Sequence, residues 1–360
     1  MKLKSIILIV LAASILVVSC KDDDNEPQGI VQDTTPYEMS IGGFPIPNIA
    51  SDNQLTVQGV KLGRMLFYEE MLSADGTQAC ASCHLQEFAF TDSAQFSIGV
   101  RGEKGGRHAM SVFNMAWNDN EFFWDGRAHL LRDQALLPIQ DELEMDETLE
   151  NVVAKLSASQ MYKDQFIRVF GTDEVTSEKV SLALEQFMNS IISTNSKYDD
   201  FLSDSTVFSE SEKRGFKLFN TEYNQFFPEQ SGADCQHCHS GLNFENDQYM
   251  NNGLDATFAD DGRGKATEDP ADNGKFKVTS LRNIALTAPY MHDGRFNTLE
   301  EVVEHYNSQL QASSTLDPAL EQTRETGLFL TEQDKKDLVA FLKTLTDKDL
   351  TTNSEYSTPF

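Results

Sequence analysis

The chain has 360 residues, 39% of them hydrophobic, and carries 57 acidic against 29 basic side chains, a formal net charge of −28. That length supports two domains, each with its own core. The acid excess excludes nucleic acid, which needs basic patches, and suits a positively charged protein partner.

Residues 1–20 read as an export signal. Lys2 and Lys4 make a basic start, and Ile6 to Val18 is apolar but short for a membrane span. Val17-Val18-Ser19-Cys20 resembles a bacterial lipoprotein cleavage box, which makes Cys20 the lipid-bearing first residue of the mature chain. Residues 21–45 follow as a polar tether that opens with Lys21-Asp22-Asp23-Asp24. This reading puts the protein in the cell envelope, on the periplasmic side or at the outer-membrane surface, touching membrane through its lipid alone.

The other four cysteines form two pairs, each followed by histidine: Cys80-Ala81-Ser82-Cys83-His84 and Cys235-Gln236-His237-Cys238-His239. Both are c-type haem attachment sequences. Two thiols must reach two vinyl groups on one porphyrin edge, and the adjacent imidazole must swing under the ring to the iron. Zinc would need a separate set of ligands for each pair. The expected cofactors are therefore two covalently bound haems c, with His84 and His239 as iron ligands.

The surroundings of the motifs repeat. Gly63-Arg64-Met65-Leu66-Phe67 precedes the first and Gly215-Phe216-Lys217-Leu218-Phe219 the second, each as a helix ending that runs into a haem loop. Downstream, Asn114 and Trp124-Asp125-Gly126-Arg127 are answered by Asn283 and His292-Asp293-Gly294-Arg295. The spacing predicts a helix over Thr176 to Ser193. Capping boxes at Ser209/Glu212, Thr298/Glu301 and Thr331/Asp334 predict three more helix starts, the last opening a closing helix that turns Leu338, Phe341 and Leu342 inward. Strand signals are few, and residues 246–275 read as a long polar loop that wraps a cofactor. The fold class is mostly α: two cytochrome c-like haem domains in tandem with long irregular loops. The first covers 46–203 and the second 204–350, with their junction within 199–209 and a tail over 351–360.

Over roughly residues 55 to 350 the chain resembles the bacterial di-haem cytochrome c peroxidases and their relative MauG. The resemblance rests on Ser97-Ile98-Gly99, Val112-Phe113-Asn114, Phe123-Trp124-Asp125-Gly126-Arg127-Ala128, Gln134-Ala135, Pro138, Glu144-Met145, Ser280-Leu281-Arg282-Asn283 and Ala288-Pro289-Tyr290-Met291-His292-Asp293-Gly294, in one order with compatible spacing. It implies catalysis at the N-terminal haem, with Glu144 as acid–base group and Gln134 positioning peroxide, and Trp124 as a relay between the haems. Where many of these peroxidases cap that iron with a histidine, this chain has Val100, which cannot ligate iron and implies an open position. The distal ligand of the C-terminal haem falls fourteen residues after His292, at Tyr306, as in MauG; Met291 is the competitor. The family also implies a calcium ion between the domains, held partly by the carbonyls of Thr287 and Pro289, but His108 stands where an asparagine usually helps. Arg127 and Arg282 are candidate partners for haem propionates. The implied function is reduction of hydrogen peroxide, with electrons from a small c-type cytochrome or copper protein entering through the C-terminal haem. The alternatives are a MauG-like oxidase acting on a protein and a non-catalytic electron carrier.

Overall fold

Thr56 starts the first helix by accepting the Gly59 N–H on its side-chain oxygen. In the computed structural model, which describes residues 29–360, that helix is α1 (Val57–Phe67). α2 (Leu131–Gln140), α3 (Leu149–Ala158), α4 (Gln160–Phe170) and α5 (Ser177–Ser190) follow. The second half holds α6 (Lys197–Leu202), α7 (Glu210–Asn220), α8 (Arg263–Thr267), α9 (Leu299–Ser308), α10 (Glu321–Thr326) and α11 (Glu332–Lys343). Among the described residues the only sheet is β1 (Tyr249–Met250) paired antiparallel with β2 (Phe276–Lys277), Tyr249 opposite Lys277. No described helix is long and apolar enough to cross a membrane. The export signal and Cys20 lie outside the described residues.

The three predicted capping boxes form at α7, α9 and α11. A fourth, Ser196 with Asp199, starts α6, so the expected junction begins inside a helix. The long polar loop is less bare than expected. It contains β1 and α8, and Arg107 ties it down through Asp260.

The two halves repeat one scaffold. α1 crosses α5 at Gly63, where an added Cβ would lie 1.9 Å from the Ala183 carbonyl oxygen. α7 crosses α11 at Gly215, where the corresponding oxygen is that of Asp337, also at 1.9 Å. Each crossing is flanked by an edge-on aromatic pair, Phe67 with Phe187 at 5.3 Å and Phe219 with Phe341 at 5.1 Å. Asn114 and Asn283 both take left-handed φ, +53° and +58°, a conformation that asparagine tolerates well. Their amide oxygens accept the N–H of Ser193 and Asp347 respectively. Each Asp-Gly-Arg turn is closed by a backbone bond of 2.7 Å, Phe122 to Ala128 and Tyr290 to Phe296.

Buried apolar side chains gather in two clusters, one with Leu62, Leu66, Phe90, Phe166 and Phe187, the other with Phe208, Phe219, Phe244 and Phe341. Neither end of the described chain is slack. Asp33 N–H donates to Arg168 and Tyr37 N–H to Leu55, so the expected tether is docked well before residue 45. The expected tail folds back on the first cluster. Tyr356 is buried there, its hydroxyl accepts the Ile192 N–H, and Arg64 donates to the carbonyls of Ser354 and Ser357.

Gly215→Ala, and likewise Gly63→Ala, is expected to cost about 3 kcal/mol, because a methyl group has nowhere to go without parting two helices. Thermal melting of the haem-loaded protein checks this, with Gly106→Ala, where a Cβ meets nothing within 4 Å, as control. A Gly215→Ala protein that melts like the control would mean that α7 and α11 do not approach this closely.

Candidate functional site

Both Cys-x-x-Cys-His motifs adopt one local structure. Each begins as a single 3-10 turn, Cys80–Ser82 or Cys235–His237, and the histidine N–H then bonds back to the first cysteine carbonyl at 2.9 Å. That turn puts two thiols and one imidazole on a short arc. The four cysteines form no disulfide. Burial pushes the thiols of Cys80, Cys235 and Cys238 up to about 12. His84 Nδ1 bonds the Phe90 carbonyl at 2.9 Å and His239 Nδ1 the Phe244 carbonyl at 3.1 Å. These bonds fix the ring orientation and leave Nε2 to face a metal. Burial lowers the pKa of both, His239 to about 4, so both imidazoles are neutral and able to ligate.

The second motif opens on a cavity of about 230 Å³. Cys235, Cys238 and His239 lie on its wall together with Leu299, Val302, Val303 and Tyr306, which share one face of α9 at helical spacing. Apolar walls, two unpaired thiols and an oriented neutral imidazole fit a c-type haem. Tyr306 and Met291 both line this cavity, and one residue touches both: Asn252 Nδ2 is 3.4 Å from the Tyr306 hydroxyl and 3.3 Å from Met291 Sδ. His305 is buried elsewhere, with Nε2 bonded to the Asn252 carbonyl at 3.0 Å. Burial pushes the Tyr306 phenol up to about 12.

Near the first motif the chain doubles back after α2. Met145 N–H donates to the Pro138 carbonyl and Glu147 N–H to that of Ile139. This returns Glu144 along the helix that carries Gln134, one turn before Pro138 on the same face. Gly99 lies against the Leu143 and Glu144 carbonyls, and Val100 N–H donates to Glu144 at 2.9 Å. Burial raises the Glu144 carboxyl to about 7, Asp141 adds to the rise and Arg127 opposes it. The Glu144 charge reaches Cys80 and Cys83, whose thiols it helps to raise after the larger effect of burial. The acidic side chain is thus half-buried and close enough for its charge to be felt at the first motif.

Trp124 lines both the 230 Å³ cavity and a smaller one of about 100 Å³. Its indole N–H donates to the His108 carbonyl at 2.8 Å. The His108 ring is buried, with Nδ1 at 3.1 Å from the Ala94 carbonyl and Nε2 at 3.1 Å from the Thr91 hydroxyl. An imidazole with both nitrogens engaged stands where calcium would need oxygen.

Arg282, expected near a propionate, is fully buried and makes a two-pronged pair with Asp199 at 2.8 and 2.9 Å. Arg127 pairs with Asp125 and covers the Phe123 ring.

Sequence reasoning missed Asn252 and a buried lysine beside Trp124. Lys277 Nζ is held by Asn118, Asn120 and the Glu121 carbonyl, and burial raises the neighbouring Glu245 carboxyl. Asn252 sits in a polar run, Asn251-Asn252-Gly253, with no periodicity to mark it. A lysine inside an otherwise apolar strand was the available signal for Lys277.

Comparison with known proteins identifies the family. Residues 57–206 match the family "Di-haem cytochrome c peroxidase". The chain is 31% identical to the methylamine utilization protein MauG of Methylophilus methylotrophus, over 81% of this chain and 84% of that one. It is 33% identical to the cytochrome c551 peroxidase of Nitrosomonas europaea, over 84% of each. Its fold superimposes on a crystal structure of a MauG-like protein associated with microbial copper homeostasis with a TM-score of 0.82 at 32% identity, covering 90% of this chain and 99% of that one. The chain therefore belongs to the di-haem cytochrome c peroxidase and MauG family, and it is a haem-bearing oxidoreductase of that type.

Proposed function

We propose that the chain reduces hydrogen peroxide at the site built on His84, Glu144 and Gln134, with electrons entering through the site built on His239. The single observation that carries this reading is the half-buried Glu144 carboxyl, brought back along the helix that carries Gln134 and raised by desolvation to about 7. A plain electron carrier has no use for such a group. Bound haem supplies the iron that binds peroxide and the ring that passes electrons. Glu144, ionised, takes the proton from the nearer peroxide oxygen and delivers it to the farther one, so that the O–O bond breaks with water as the leaving group. Gln134 holds the peroxide by hydrogen bonding. Two electrons and two protons complete the reduction to two waters. Val100 puts no imidazole over this site, so we read it as open without prior reduction. Trp124, which borders both cavities, is the proposed relay.

The wider reading follows the same line. We take 46–203 and 204–350 as the two haem domains, each covalently bound through its cysteines. Cys20 carries the lipid that holds the protein in the cell envelope. The donor is a small c-type cytochrome or copper protein.

Glu144→Gln is expected to slow the reaction with peroxide by about 10²–10⁴-fold. In the parent, the rate should rise with pH to a plateau above about 7, as the carboxyl ionises. That limb should vanish in the variant. Burial penalises ionised Glu144, so the carboxylate costs stability above its ordinary pKa, increasingly so up to about 7. The variant should therefore be at least as stable as the parent at pH 8, which separates lost chemistry from lost fold. An unchanged pH limb would remove Glu144 from the mechanism.

A second reading, a MauG-like oxidase acting on a protein, is favoured by one observation: the Tyr306 hydroxyl faces the cavity of the second motif. A phenolate is a hard, anionic ligand that stabilises oxidised iron. Tyr306→Phe should change the optical and EPR signature of the second haem. Asn252→Leu should shift it less, by removing a hydrogen bond to the ligand oxygen. If Met291→Leu alone changes the spectrum, Tyr306 is not the ligand. Steady turnover with a reduced cytochrome favours the peroxidase; covalent change in a protein substrate without such turnover favours the oxidase.

A further inference from the structure

The interval between α7 and the second Cys-x-x-Cys-His motif carries a surface that the chemistry above does not use. Its base is closed. Gly232 N–H donates to Glu222 at 3.0 Å, the N–H groups of Ala233 and Asp234 donate to Leu218 and Thr221, and Cys235 follows directly. The loop itself is built: the Asn224 side-chain oxygen accepts the N–H of Phe226 at 3.0 Å and of Phe227 at 3.1 Å, and Ser231 accepts that of Asn224. This framework presents two phenylalanines to water, Phe226 at 79% and Phe227 at 54% exposure. Tyr223, at the start of the same loop, stacks on Phe329, which is 40% exposed, with ring centroids 5.9 Å apart and planes at 15°. Tyr223 in turn bonds Thr326 and lines the cavity that holds Cys235 and Cys238. The aromatic rim therefore runs from solvent to the wall of the second haem site.

Folding does not account for this rim. Exposed aromatic area is unfavourable in water, and a fixed loop that displays it marks a contact surface. The first repeat makes the contrast, because its corresponding interval turns Leu72 into the core and half-buries Met71. Charge identifies the partner. No Lys or Arg occurs between Lys217 and Arg263, while Glu222 and Glu229 are exposed on the loop itself. Glu325 is exposed beside Thr326, and the one cation there, Arg324, is already paired with Glu321 and Glu325.

We propose that Phe226, Phe227, Phe329 and Tyr223, ringed by Glu222, Glu229 and Glu325, form the docking surface for a small basic electron-transfer protein with an apolar contact face. Apolar contact at the centre and opposite charge at the rim suit fast, transient association. This inference rests on the reading that electrons enter through the second haem.

The test uses the haem-loaded protein and a reduced, lysine-rich cytochrome c as probe, with binding measured by calorimetry in the absence of peroxide. Phe226→Ser/Phe227→Ser is expected to weaken binding by about tenfold and to raise KM for the cytochrome, while peroxide reduction driven by ascorbate is unchanged. Glu222→Lys/Glu229→Lys, which leaves the rings in place, should weaken binding similarly and flatten its salt dependence. Parent-like binding by both variants overturns the proposal. So does sedimentation showing a parent dimer that the phenylalanine variant lacks, or parent-only binding to vesicles of phosphatidylethanolamine and phosphatidylglycerol, since the rim would then serve self-association or a membrane. If cytochrome binds as expected but neither cytochrome nor ascorbate supports peroxide reduction, the docking surface stands and the peroxidase reading fails.

Discussion

Each half of the molecule depends on one place where two helices meet backbone to backbone. Gly63 lets α1 lie on α5, and Gly215 lets α7 lie on α11. Everything in the sites is referred to these crossings. Phe67 and Phe219 leave them into the attachment loops, and the loops carry the thiols and imidazoles. A glycine costs a helix some stability through its backbone freedom, and it is tolerated where close approach returns more in packing. The same solution appears twice, which is why the two attachment motifs share hydrogen bonds to within a few tenths of an ångström.

On this duplicated scaffold the sites diverge by substitution at equivalent positions. Before the first Asp-Gly-Arg turn stands Trp124, which borders both cavities; before the second stands His292, stacked on Phe276 with centroids 3.6 Å apart. One turn directs an indole to the wall of the second site's cavity, and the other pins its ring against a strand. After the first turn the chain returns along α2 and brings a raised carboxyl towards its motif. After the second it enters α9 and brings a phenol. The scaffold alone does not make the two sites differ; these two returns do, and the proposed division of labour rests on them.

Much of this was legible in sequence because it is local. A capping box needs three residues of spacing, and those at Ser209, Thr298 and Thr331 form as read. The inward face of α9 follows from helical period alone. What escaped is set by distant parts of the chain. Asn252 matters because Met291 and Tyr306 converge on it from later segments. Arg282 is matched by Asp199, far back in the chain, so its role could not be read from neighbours. Glu144 is the intermediate case. It sits in an acidic run that reads as solvated surface, and only the fold of the chain after α2 half-buries it.

The docked chain end has a consequence for the order of assembly. Leu350 and Tyr356 belong to the first apolar cluster, and Arg64 is bonded to carbonyls almost three hundred residues later. A chain that emerges from its N-terminus therefore presents its first half long before the residues that close that half exist outside. Contacts of such separation close late, after the loop entropy between them has been overcome. The half synthesised first is completed last, and its attachment cysteines stay accessible until the chain end has docked.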